Sequence, residues 1–343
     1  MLYMNKTREI SNQEWAEILE ELNLTEKLLT AKTIVIKPNF AAGTYVDPKT
    51  HVISDLDLVR SAIEYFASVN ENAKIYVAEA DSTGYGFAYL KFEHLELPGS
   101  LGLSDKALRQ VELLDLSRDR LQKFEAKSLK RYVGIDKQLW LSETLMNADL
   151  KVNLSNLKTH AVTGYTGACK NLFGCLPDFE KYHNHPYIHE VIHDLVLAIE
   201  PDLNVVDAFY GMERNGPVQG IDVDTGYRVF SDDPVEADVY AASSIGYPPR
   251  KVKYIRMLCK IIGVSIDNQS TVIKAYKKPG AFLRVMNGIG LAIQKFGLYL
   301  EIFGHRIHSC STPAILAITI ARPVLLKLFD YEKLKAWKRK ILK

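Results

Sequence analysis

The chain has 343 residues, enough for one large or two modest domains with a sizeable core. Hydrophobic residues make up 47% and charged residues 24%, and the net charge is +2, a balance that excludes a disordered chain and a bulk nucleic-acid binder. The expected partner is therefore a small molecule.

In chain order, the N-terminal MLYMNKTREISNQEWAEILEEL is charged and has no apolar signal region. Asn12 to Leu29 sets Trp15, Ile18, Leu19 and Leu22 among acidic residues, which predicts one or two surface helices. Thr33 to Ile36 is a short β-branched run stopped by Lys37-Pro38-Asn39, the pattern of a buried strand entering a loop. Asp55 to Ser68 has helical spacing with Ser54 or Asp55 as N-cap, and Lys74 to Ala78 reads as a second strand that ends in Glu79, Asp81 and Ser82. Lys91 to Leu145 is mixed, with LPGSLGLSD as a loop and YVGIDKQLWL as a hairpin or edge strand. Leu150, Val152 and Leu154 alternate with Lys151 and Asn153 in a third strand, and Leu203 to Val206 forms a fourth, followed by Asp207, Glu213 and Asn215. Polar residues at the ends of four such strands are the arrangement of a parallel α/β sheet, whose ligands bind outside the carboxyl ends of the strands.

The expected fold is thus α/β: a mainly parallel central sheet flanked by helices over residues 31–247, with a mostly helical extension over 248–343. Asp233 to Ile245 at the end of the first part, opening at Pro234 after an Asp232-Asp233 cap, and Lys251 to Ile262 and Ala281 to Phe303 in the extension, have helical spacing, and Ala314 to Ile320 suits a last strand. No run of about 18 uncharged apolar residues occurs, so no membrane span is expected. Lys327 to Lys343 carries seven Lys or Arg against Asp330 and Glu332, with Leu334, Trp337 and Ile341 on one helical face. Weak contact with an anionic membrane surface and simple docking of those three apolar residues both fit that pattern.

The densest polar stretch is Asp149 to Pro177, which brings Lys158, His160, Thr163, Tyr165, Lys170 and Asn171 together between Gly164, Gly167 and Gly174. It lacks the G-x4-G-K-[ST] order of a phosphate loop, and no G-x-G-x-x-G follows a predicted strand, so neither an ordinary ATPase nor a nicotinamide enzyme is expected. Cys169, Cys175, Cys259 and Cys310 form no C-x2-C pair, which excludes iron–sulfur cluster runs and makes a reducing cytoplasm the expected compartment. His185, His189 and His193 recur every four residues, on one side of a helix opened by Pro186, and His189 to His193 spells H-E-x-x-H. A metal site and a half-buried helix face both remain open there.

The set IKPNF, NLKTHAVTGYTGACKNLFG, VVDAFYGMERNGPVQG and SDDPVEADVYAASSIGY resembles the domain of unknown function family numbered 362, from about Ile34 to Tyr247. His160-A-V-T-Gly164-Tyr165-Thr166-Gly167-A-C-Lys170 is similar to a segment of the nickel-pincer lactate racemase family. That second resemblance implies His160 as an acid/base group and Lys170 as the anchor of a nickel-containing cofactor, with His183 or His185 as a further ligand. Ala168 and Cys169 depart from its pattern.

These readings combine into one expectation: a cytoplasmic enzyme, isomerase- or racemase-like or redox, acting on a small anionic metabolite. His160 and Lys170 would be catalytic, and Asn39, Asp81, Lys158, Tyr165, Asn171, Asp207, Glu213 and Asn215 would line the substrate crevice. His183, His185 and His189 are the candidate ligands for a metal or nickel cofactor. The alternative is a non-catalytic metabolite- or metal-binding protein using the same crevice.

Overall fold

The computed structural model describes residues 1–41, 51–82, 86–128, 138–177, 181–214, 216–218, 220–267 and 271–302. The chain opens with β1 (Leu2–Asn5), α1 (Asn12–Glu21) and α2 (Thr25–Thr30). Ser11 starts α1 with a reciprocal cap, in which its hydroxyl accepts from the Glu14 N–H and the Glu14 carboxylate accepts from the Ser11 N–H at 2.8 Å. Then come β2 (Thr33–Lys37), α3 (Leu56–Val69) and β3 (Lys74–Glu79), a strand–helix–strand unit whose helix is capped by Asp55. After α4 (Ala88–His94) and α5 (Asp105–Gln110), β4 (Val111–Asp115) adds a parallel strand beside β3. Its sequence, VELLD, is partly exposed at the sheet edge and so lacks the continuous apolar run by which the buried strands are recognised.

β5 (Leu121–Glu125) and β6 (Gln138–Ser142) pair antiparallel in a small separate sheet, followed by α6 (Glu143–Met146). The central stretch then folds as β7 (Leu150–His160), β8 (Gly164–Thr166) and α7 (Ala168–Asn171). A 3-10 turn (Lys181–Tyr187) leads into α8 (Ile188–Ile199), then β9 (Leu203–Glu213), β10 (Ile221–Asp224), β11 (Arg228–Ser231), α9 (Pro234–Ser244), α10 (Lys253–Ile262) and α11 (Ala281–Ile302). Asp233 caps α9 as its sequence predicts, accepting from the Val235 and Glu236 N–H groups ahead of Pro234.

The main sheet has the order β1-β11-β9-β7-β2-β3-β4, with β9, β7, β2, β3 and β4 parallel and, at one end, β11 antiparallel to β9 and β1 antiparallel to β11. The four strands expected from sequence are consecutive neighbours in it, as a parallel α/β fold requires. β1, ahead of residue 31, also belongs to this sheet. Helices cover both faces. One core layer gathers α1, α2 and α3 around Trp15, whose ring meets Phe66 and Phe230 edge-on. The other packs α8, α9 and α10 on the opposite face.

What positions a site is the length of β7 and β9. Both continue past their parallel pairing, with a register shift between Asn156 and Lys158, and each then carries a short antiparallel partner, β8 on β7 and β10 on β9. These hairpins stand at the carboxyl ends of the strands. The expected strand over 314–320 and the basic helix over 327–343 lie outside the described residues.

Candidate functional site

The loop from β7 through β8 to α7 is held from below by one buried carboxylate. Asp238 of α9 accepts hydrogen bonds from the Ala168 N–H (2.6 Å), the Cys169 N–H (3.1 Å) and the Tyr165 hydroxyl (3.2 Å). The first N–H groups of a helix have no partner within it, and here an acid from another helix supplies one. Burial pushes the Asp238 carboxyl up to about 7, with the hydrogen bonds from Cys169, Ala168 and Tyr165 pulling the other way. Asn171 closes the far side, its amide donating to Asn153 Oδ1 at 2.9 Å and to the Lys37 carbonyl at 3.2 Å. Tyr165 and Asn171, expected to bind substrate, are thus buried in bonds that shape the loop.

Gly167 shows how tight this anchor is. A Cβ there would stand 2.2 Å from Asp238 Oδ1 and 2.3 Å from the Tyr165 hydroxyl oxygen. Gly167→Ala is therefore expected to destabilise the fold by about 1–3 kcal/mol through overpacking. Urea unfolding measures it, and an unchanged midpoint would mean that the loop is not clamped as described.

Above this floor the loop gathers Lys158, His160 and Lys170, with His185 and His189 beside them. Lys158 is buried and donates from Nζ to the Val52 carbonyl; burial, then the charge of Lys170, lowers it to about 7 against the pull of Asp222. Lys170 is half-buried, its ammonium has no hydrogen-bond or ion-pair partner among the described residues, and burial lowers it to about 8. Burial also pushes the His160 imidazole well below its ordinary value, helped by Lys170, His185, His189 and Lys158, so it stays neutral. His160 Nδ1 accepts from the N–H groups of Val162 (3.1 Å) and Thr163 (3.2 Å). A neutral imidazole with Nδ1 so used carries its proton on Nε2 and offers a donor there, not a base.

His185 has the opposite tautomer. Its Nδ1 lies 3.2 Å from the Lys181 carbonyl, which can only accept, so Nε2 is left with a lone pair. Burial, then Lys170, lowers its ring to about 4. The loop therefore sets two ammonium groups, an N–H donor and a neutral nitrogen base close enough to shift one another's protonation.

A second buried cluster, not singled out from the sequence, lies at the ends of β2 and β3. Glu79 Oε1 stands 3.2 Å from Lys37 Nζ and 3.7 Å from Lys91 Nζ. Both Glu79 oxygens also accept backbone N–H groups, from Phe40 at 3.0 Å and Ala80 at 2.9 Å. Burial pushes the Glu79 carboxyl up, but Lys37, Lys91 and Lys181 outweigh it and hold it at about 2. Lys181 donates to the Gly174 carbonyl at 3.0 Å, and burial, then Lys91, brings it down to about 7. A sequence signal for this cluster exists: Lys37 and Glu79 both end apolar strands, where an unpaired charge would be costly.

The remaining candidates are spread out. Asn39 holds the chain at Ser54 and Asn156, its N–H donating to Ser54 Oγ at 2.8 Å and its amide to Asn156 Oδ1 at 3.1 Å. Asp81 accepts from the Ala88 N–H at 2.9 Å at the start of α4. Asp207 pairs with Arg228 Nε at 3.1 Å, and Arg228 in turn binds the Thr7 and Arg8 carbonyls, which fixes the N-terminal segment. Glu213 accepts from the Lys277 N–H at 2.7 Å. Asn215 and the side chain of His183 lie outside the described residues.

Pro186 does not open the helix of the histidines; it lies inside the 3-10 turn, and α8 starts at Ile188, so His185 is off that helix. His189 stacks on Tyr254, Glu190 pairs with Lys253, and His193 Nδ1 lies 2.6 Å from Ser128 Oγ and 2.9 Å from Asp194 Oδ1. The three H-E-x-x-H side chains thus point to different neighbours. Among the described residues no three His, Cys, Asp or Glu side chains gather to hold a bare metal ion.

A family model described as "Domain of unknown function (DUF362)" matches residues 34–243. Among curated proteins, the chain is similar to the "Thylakoid-associated protein sll1697" of Synechocystis sp., 32% identical over 121 residues, which is 33% of this chain and 38% of that protein. The chain thus spans well under half the length of that relative. No solved structure matches.

Proposed function

Because this chain belongs to the DUF362 family, whose description assigns no reaction, we propose a function from the site: an enzyme that binds a small anionic metabolite at Lys170 and moves a proton on it. The observation that carries this reading is the half-buried Lys170 ammonium, unpartnered among the described residues and within electrostatic reach of His160 and His185. A desolvated cation without a counter-ion is a place prepared for an anion.

In the proposed step a carboxylate or phosphate oxygen of the substrate takes the Lys170 ammonium and the His160 Nε2–H. His185 Nε2 accepts the substrate proton and returns it at a second position of the substrate, and the Lys158 ammonium offsets the negative charge that develops in between. This is isomerase-type chemistry, and no step passes through a metal or nickel cofactor. A non-catalytic anion binder is the second reading, favoured by His185, whose ring at about 4 is a weak base at neutral pH. A cytoplasmic setting belongs to the same proposal, with the buried free thiols of Cys169, Cys175 and Cys259 in its support. The thylakoid association in the relative's name supports weak surface contact with a membrane, the role proposed for 327–343.

Calorimetric titration with inorganic phosphate and a panel of small carboxylates tests the binding step. Both lysines must be protonated to attract the anion, so affinity is expected to fall once pH passes about 7 for Lys158 and about 8 for Lys170. Between about pH 6 and pH 9 the loss should be roughly tenfold or more. Affinity that is flat with pH would overturn the site; pH-dependent binding without turnover of any bound compound would favour the second reading.

A further inference from the structure

We infer that the outer face of α11, carrying Phe282, Val285 and Ile289, is a docking surface for an anionic lipid bilayer. The three side chains follow one another by three and four residues, which places them in one stripe of a helix. They are 79%, 60% and 49% exposed. The opposite side is the one that packs: Asn287 and Gly290 are buried, and α11 lies against the 3-10 turn Lys181–Tyr187. The stripe is thus directed away from the body by the packing of its own helix.

The stripe is not alone. Among the described residues the large exposed apolar side chains concentrate in this part of the chain, where Ile261, Ile262, Val272 and Ile273 are also exposed. Scattered exposed apolar residues are ordinary on a soluble surface, whereas a concentration of them marks a surface that meets something.

Charge selects the occupant. Residues 250–300 carry ten Lys or Arg against Asp267 alone, while the whole chain is only +2. The excess positive charge of the protein is therefore held in the same segment as the exposed apolar side chains. Cations flanking an apolar stripe on a helix lying flat is the pattern of an interfacial helix, whose apolar side enters the headgroup region while the bases meet anionic lipid. A second copy of the chain is a poorer fit, because a symmetric contact would bring two strongly basic surfaces together. The chain's own segment 327–343 is basic too and offers no charge complement. No helix of the described residues is long and apolar enough to cross a membrane, so the contact is one of surface.

Co-sedimentation of the full chain with phosphatidylcholine vesicles, with and without phosphatidylglycerol, tests the inference. The protein is expected to pellet with the anionic vesicles only, and less as salt is raised. The triple variant Phe282→Ser, Val285→Ser, Ile289→Ser should lower the bound fraction at limiting lipid by roughly tenfold while leaving the melting temperature unchanged, since the three side chains are exposed. Lys277→Glu with Lys278→Glu should lower it independently and flatten the salt dependence. Full-chain protein that stays in the supernatant with anionic vesicles overturns the inference. So does a triple variant that pellets like the wild type, or one that changes only from dimer to monomer.

Discussion

Lys170→Ala is expected to weaken anion binding about 10–100-fold, the usual effect of losing a hydrogen bond to a charged partner. If the proposed chemistry holds, turnover should fall by about 10²–10³, as when a charge-stabilising donor is removed. The same variant should not unfold more easily. The Lys170 ammonium is held at about 8 by burial alone and has no partner among the described residues, so removing it relieves a desolvated charge. The pH dependence checks the assignment. A lysine whose folded value lies below its ordinary 10.5 binds fewer protons in the folded state between about 8 and 10.5. Stability should therefore rise with pH across that window, and Lys170→Ala should remove its part of the rise. Lys170→Arg restores a charge in a different shape, so recovery of binding would show that charge alone is required. Loss of stability without loss of binding would make Lys170 structural and sink the site.

Glu79→Gln should produce the largest stability effect, roughly 3–5 kcal/mol, because it leaves Lys37, Lys91 and Lys181 buried without their shared counter-charge. Its pH signature has the same sign as that of Lys170, a rise of stability with pH, but it falls in the acid range. The Glu79 carboxyl is held at about 2 against its ordinary 4.5, so its contribution is complete above about 4.5 and is lost as pH falls towards about 2. Denaturant unfolding across that range should show a steeper acid loss for the wild type than for the variant. Adding Lys181→Met to Glu79→Gln should recover part of the stability, since one fewer cation is then stranded. A Glu79→Gln midpoint equal to that of the wild type would show that the cluster is not held together by this carboxylate.

Asp149 to Pro177 is legible in the sequence as the centre of the protein, because an alternating strand runs into glycine-punctuated polar residues. Lys158, His160 and Lys170 lie there within electrostatic reach of one another. The roles of the histidines are not legible in the same way. A tautomer depends on what each ring nitrogen touches: His160 receives backbone N–H groups from its own turn, and His185 faces the carbonyl of Lys181. Tyr165, Asn171 and Asp207 carry the residue types of a binding site, yet each is consumed by a buried partner, Asp238, Asn153 or Arg228.

Local pattern by itself determined the parallel α/β sheet, its four buried strands, the helix starts at Ser54 or Asp55 and at Asp232-Asp233, and the loop where polar residues collect. Apolar periodicity and capping are properties of neighbours in sequence, and these elements need nothing from elsewhere. The edge strand β4 escaped because an edge exposes half of its side chains and erases the apolar run. The charge cluster of Lys37, Glu79, Lys91 and Lys181 was decided only by tertiary structure. These four residues are far apart in the sequence, and whether each is solvated or buried against the others depends on which strand ends the fold brings together. The same holds for Asp238, a helix residue in α9 that becomes the floor of the site because α9 packs beneath the loop from β8 to α7.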